Sequence, residues 1–200
     1  MIELRQKEKE HRRSIECINV TKKFIISLKD VMDFFCGILN SRFMDILQKI
    51  NNLSSKTIII ILIVVGFIVY GNTFVNEMLW DEHDLIINNE YIRDWKYFPK
   101  YFSENLIAGS GIVSNYWRPL LLISFFIDYK IGGLEPFVYN LQNMSWHILS
   151  SVLFFVLLRR LSLSISVSLL SSLLFLVHPV QTEAITYISG RADPMHMTFI

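Results

Sequence analysis

Thr57 to Asn76 is a run of 20 residues without a single charge, and nothing else constrains the chain so strongly. As a helix rising about 1.5 Å per residue, it matches the ~30 Å hydrocarbon core of a bilayer. A second uncharged stretch runs from about Pro136 to Leu158 and ends at Arg159-Arg160. A third, Leu161 to Val177, is shorter and serine-rich, and a fourth apolar segment starts near Met195. With 52% hydrophobic residues and a mean hydropathy of +0.39, the chain is more apolar than a soluble domain of this size requires. The expected fold class is all-α, a polytopic membrane helix bundle.

Charge gives that bundle a direction. Residues 1–56 carry 11 Lys and Arg, whereas residues 77–135 carry five against nine Asp and Glu. Basic flanks stay in the cytoplasm, so the N-terminus reads as cytoplasmic and 77–135 as an extracytoplasmic loop. Residues 1–56 are expected to form a basic tail with an amphipathic helix between Phe24 and Ile50, where apolar positions recur at helical spacing. Residues 57–200 read as a membrane domain that is incomplete, the front of something larger. The basic residues form no compact patch interleaved with aromatics, which argues against nucleic acid. Cys17 and Cys36 support neither a disulfide framework nor a zinc site.

One segment decides the topology. Pro119 to Ile127 is very apolar but is flanked by Arg118, Asp128 and Lys130, and its nine residues give about 14 Å of helix, half of a span. If it spanned, Arg159-Arg160 would face outward against the positive-inside rule. We therefore expect it to lie in or dip into the outer interface, so that Asp81, Asp84, Arg118, His178, Glu183, Arg191 and Asp193 share one outer compartment.

The polar groups collect where the spans end. Trp80-Asp81-Glu82-His83-Asp84 follows the first span, with residue types suited to proton transfer or metal binding. No ligand set is strong enough to claim a metal, and a divalent ion in the acidic cluster is left open. Asn88-Asn89 reads as a helix start, followed by an aromatic stripe of Tyr91, Trp95, Phe98, Tyr101 and Phe102 that suits an interfacial helix face. Within the second span, Asn140, Asn143 and His147 share a face with Ser150 or Ser151, a pattern that favours helix–helix hydrogen bonding over catalysis. After the third span, His178, Glu183, Arg191, Asp193 and His196 crowd one junction. Ionisable groups near lipid mark a functional site by default.

Three blocks in order carry a resemblance: Asp81-Glu82; Tyr116-Trp117-Arg118-Pro119-Leu120; and His178-Pro179-Val180-Gln181-Thr182-Glu183-Ala184 with Gly190-Arg191-Ala192-Asp193. Together with Tyr139, Asn143 and His147, they resemble the transmembrane and tetratricopeptide-repeat proteins that O-mannosylate cadherins, and their bacterial relatives, over about residues 70–200. That family looks like a branch of the GT-C glycosyltransferases, related to the protein O-mannosyltransferases. Its tetratricopeptide repeats and most of its spans are absent here.

The resemblance implies the N-terminal portion of a GT-C-like domain, moving a hexose (mannose by resemblance) from a polyprenyl-phosphate carrier to Ser/Thr hydroxyls of an acceptor protein. It makes Asp81 the base and Glu82 its acidic neighbour. Arg118, His178 and Arg191 would bind the carrier phosphate, with Glu183 and Asp193 orienting those cations. Asp84 falls outside the matched pair. No cofactor beyond the lipid-linked donor is implied. The location expected is a bacterial inner membrane, or the endoplasmic reticulum in a eukaryote. Two other readings stand beside this one: a non-catalytic transporter, lipid-binding module or scaffold, suggested by the Asn140, Asn143, His147 stripe, and an inactive truncated remnant.

Overall fold

The computed structural model describes residues 41–199, and every regular element among them is helical. The expected amphipathic helix therefore lies outside the described residues as far as position 40. Of the unit formed by residues 1–50, what is described is the start of helix α1 (Ser41–Asn51), with Met44, Leu47 and Ile50 recurring at helical spacing.

The second unit begins at Asn51. Helix α2 (Ser55–Tyr70) starts where the Ser54 hydroxyl accepts the Thr57 amide at 3.1 Å, and it continues as a 3-10 turn to Val75. Helices α3 (Pro119–Gly132), α4 (Pro136–Arg160) and α5 (Ile165–Val177) follow. Past a 47° bend at His178 the chain forms α6 (Thr182–Thr186), then a 3-10 turn over Ile188–Arg191 and α7 (Ala192–Phe199). Ser55–Val75 and Pro136–Arg160 are long and apolar enough to cross a membrane, and the bent pair at Ile165–Thr186 would make a third. Among the described residues the chain is an all-helical membrane bundle.

Helix α5 begins at Ile165 rather than Leu161. Ser162 takes a left-handed φ of 63°, and Ser164 caps the helix by accepting the Val167 amide at 3.3 Å. The three long helices alternate in direction. The Tyr70 hydroxyl donates to Leu176 O at 2.8 Å, and Asn140 Nδ2 donates to Asn76 O at 3.3 Å. At the opposite end Asn51 Oδ1 accepts the Ser166 amide at 2.9 Å. Val75, Pro136 and Val177 thus share one end of the bundle, and Asn51, Arg160 and Ile165 the other. Gly66 lets α2 and α4 close together, since a Cβ there would sit 2.5 Å from Ile148 Cγ1. The exposed apolar faces, such as Val64, Phe67 and Ile68 on α2 and Leu153, Val156 and Leu157 on α4, suit contact with lipid tails.

Helix α3 is 14 residues long, about 21 Å, and does not qualify as a span. Its Leu121, Leu122 and Phe125 are buried in a core with Leu85, Ile86, Ile92 and Tyr101 from the segment after α2. That segment differs from the continuous helix its aromatic spacing suggests. Asn89 Oδ1 accepts the Tyr91 amide and Asp94 Oδ1 the Lys96 amide, at 3.1 and 3.0 Å. Each cap starts a short 3-10 turn, over Glu90–Arg93 and Trp95–Tyr97, and a single α turn follows at Lys100–Ser103. Local side-chain to backbone bonds have outcompeted the helix. The stripe is divided, with Tyr101 buried and Trp95 and Phe102 exposed.

Candidate functional site

The end of the bundle that holds Val75 and Val177 carries a cavity of about 1050 Å³. Its walls come from the turn after α2 (Leu79, Trp80, Asp81, Asp84), the approach to α3 (Ser114, Tyr116, Arg118), and the segment from Pro179 to Gly190. Asp81, Arg118 and Glu183 are thereby brought together from three distant parts of the sequence. Asp84 joins them. Among the described residues no group of three or more His, Cys, Asp or Glu side chains is arranged to hold a metal ion.

Arg118 stands just before α3, with Pro119 opening the helix. Its guanidinium lies over the Tyr116 ring at 5.4 Å and forms no ion pair among the described residues. It also lines a second cavity of about 400 Å³, whose other walls are almost wholly apolar: Phe102, Trp117, Pro119, Leu120, Leu121, Ala192, Met195, His196 and Phe199. Among the described residues Arg118 alone borders both the cavity that holds the carboxylates and the apolar groove.

Glu82 takes a different position from its neighbour Asp81. It is buried, and both oxygens are occupied by backbone: Oε2 accepts the Leu79 amide at 2.8 Å and Oε1 the Ile188 amide at 2.5 Å. Burial raises its pKa, while the amides of Leu79, Ile188 and Ser189 pull it back down. This carboxylate fastens the α2 turn to the segment before Arg191 and does not line the cavity.

Arg191 lies deeper still. It is fully buried and ion-paired with Asp128 of α3. Nε donates to Asn143 Oδ1 at 2.6 Å, Nη1 to Ser124 Oγ at 3.1 Å and Nη2 to Tyr139 O at 2.9 Å. The Phe125 ring lies 4.6 Å beneath its carbon. A buried charge is tolerable only when paired and hydrogen-bonded in this way. Burial pushes the Asp128 carboxyl up to about 6, with Arg191 pulling against the rise. Arg191 therefore ties α3, α4 and the 188–191 turn into one block and faces away from the cavity. Gly190 completes the block, for a Cβ there would meet the Ala184 backbone at 2.9 Å.

The remaining two predicted residues also stand outside the cavity lining. His178 is exposed, and its Nδ1 accepts the Val180 amide at 3.2 Å. The neutral ring then carries its proton on Nε2, the one nitrogen left to donate outward. Asp193 is exposed in the first turn of α7, where a carboxylate complements the helix dipole, and it pairs with no arginine among the described residues.

The polar stripe of α4 is consumed inside the bundle. Asn143 Nδ2 donates to Tyr187 O at 2.7 Å, His147 Nε2 meets Leu176 O at 3.0 Å, and Ser150 Oγ donates to Pro194 O at 2.9 Å. Asp128, Ser124 and the aromatic cavity walls Trp80, Tyr116 and Tyr187 were not legible as site residues. Asp128 gave one signal, a carboxylate at the end of an apolar run, but its partner Arg191 is remote in sequence.

Fold and site together define a membrane protein, helical throughout its described residues, with a cavity at one end of the bundle that holds Asp81, Arg118 and Glu183. No family model and no solved structure matches the sequence. Protein O-mannosyl-transferase tmtc2 of Xenopus laevis is 36% identical over 132 residues, covering 64% of this chain and 16% of that protein. Protein O-mannosyl-transferase Tmtc1 of Drosophila melanogaster is 32% identical over 132 residues, covering 64% and 15%. Human protein O-mannosyl-transferase TMTC3 is 40% identical over 83 residues, covering 42% and 9%. The chain is thus similar to protein O-mannosyl-transferases over part of its length, and it spans less than one fifth of the length of these three relatives.

Proposed function

We propose that this chain forms part of a membrane glycosyltransferase that moves a hexose, mannose by kinship, from a polyprenyl-phosphate carrier to Ser or Thr hydroxyls of an acceptor protein. The observation that carries this reading is the position of Arg118 between a cavity that also holds Asp81, Asp84 and Glu183 and an apolar groove. An amphiphile with a sugar head, a phosphate and a hydrocarbon tail needs that sequence of environments.

On this reading Asp81, exposed in the cavity, takes the proton of the acceptor hydroxyl as its oxygen attacks the anomeric carbon. The bond from that carbon to the phosphate oxygen breaks, the configuration inverts, and the lipid phosphate leaves. Arg118 stabilises its charge through directed N–H donors. Glu183 lies in the same cavity, where it orients Arg118 or the acceptor. His178 offers one Nε2–H to the phosphate from the rim. Glu82 and Arg191 act by position, holding the walls from behind, and Asp193 holds the start of α7.

The reading also assigns sides. The cavity end is extracytoplasmic, because the opposite end carries Arg159 and Arg160 and follows the basic N-terminal tail. A cysteine at position 84 should react with a membrane-impermeant thiol reagent from outside, and one at position 160 should not. The function is tested with membranes containing the full-length protein and polyprenyl-phosphate mannose. Wild type should mannosylate an acceptor and Asp81→Asn should not. Equal transfer by the two would remove Asp81 from the reaction.

A further inference from the structure

Trp80 is held in a costly conformation for no benefit to the core. Its φ of 47° lies in the left-handed region, which bulky residues avoid, yet its side chain is 80% exposed. Strain of this kind collects at functional sites when the surroundings enforce it. The surroundings here do. The Glu82 and His83 amides donate back to Leu79 O and Trp80 O, each at 3.0 Å, and the Glu82 carboxylate holds the Leu79 amide. The same carboxylate holds the amide of Ile188, the residue after Tyr187. One buried group thus fixes the backbone beside two aromatic residues from distant parts of the chain. Their rings lie 6.4 Å apart and are tilted by 34°, and both line the cavity that Asp81 also lines.

We propose that Trp80, with Tyr187 beside it, is the platform for the hexosyl group of the donor, an assignment that rests on the donor reading above. A pyranose ring presents C–H groups on one face, and these pack on the electron-rich face of an indole or phenol. The sugar must lie between the phosphate at Arg118 and the base at Asp81, and these two rings line the same cavity as both. The competing role for an exposed tryptophan at this level is anchoring among lipid headgroups, which would be indifferent to the sugar.

The test measures binding of short-chain polyprenyl-phosphate mannose, and of the same polyprenyl phosphate without sugar, to the full-length protein in detergent. Wild type should prefer the mannosylated lipid. Trp80→Ala should reduce that preference about tenfold, the size of one aromatic contact, and leave the affinity for the bare lipid phosphate unchanged, which also shows that the variant is folded. Trp80→Phe should keep most of the preference. Equal weakening of both lipids, or no weakening of either, would overturn the platform. A wild type that does not distinguish the two lipids would remove the donor reading and the platform with it.

Discussion

Arg118 and Arg191 lie at the same end of the bundle and were indistinguishable as sequence. In the folded chain they differ in every respect that matters to chemistry. Arg191 is sealed: Asp128, Asn143, Ser124 and Tyr139 occupy its donors and Phe125 covers its face. Arg118 is half-buried, stacked on one ring, and borders two cavities. Asp81 and Glu82 repeat the contrast one residue apart, the first in the cavity and the second bonded to two backbone amides. A charge with its partners already in place holds a structure together. A charge facing a cavity is available to a substrate.

The contrast can be broken at four places. Asp81→Asn should lower sugar transfer by about 10²- to 10⁴-fold, the usual contribution of a positioned base, with thermal stability unchanged; a drop in stability would mean that Asp81 is structural after all. Asp128→Ala should do the opposite. Stranding the buried Arg191 costs about 3–5 kcal/mol, seen as a lowered melting temperature of the detergent-solubilised protein before any effect on donor affinity. Arg118→Ala should cost about 10²- to 10³-fold in transfer with little change in melting. Glu82→Gln should show the smallest effect. One of its two oxygens becomes an NH2 that cannot accept an amide, a loss of about 1–3 kcal/mol; a variant as stable as wild type would show that the two amide bonds do not matter.

Much of the bundle was legible because uncharged length is a direct physical signal. Thr57–Asn76 and Pro136–Leu158 fall within helices that end close to those positions. The loop was less legible. Its aromatic spacing was helical, but Asn89, Asp94 and Pro99 imposed caps and turns whose strength relative to a helix cannot be judged from spacing. Of the residues singled out by the resemblance, Asp81, Arg118 and Glu183 meet in one cavity. The failure was in separating them from Glu82 and Arg191. That separation depends on burial and on partners such as Asp128 and Ile188, which only the packing of α3 against α4 and the 188–191 turn determines. Trp80 stood out only as the residue before the acidic run, because nothing in the sequence announces a positive φ.

The most direct measurement is photo-crosslinking of the full-length protein with a polyprenyl phosphate bearing a light-activated group near the phosphate end of its chain. The account predicts labelling of the groove at Leu120, Met195 or Phe199, lost in Arg118→Ala and retained in Asp81→Asn. Labelling spread over the lipid-facing surfaces of α2 and α4, unchanged by Arg118→Ala, would contradict the claim that this end of the bundle receives a lipid-linked donor.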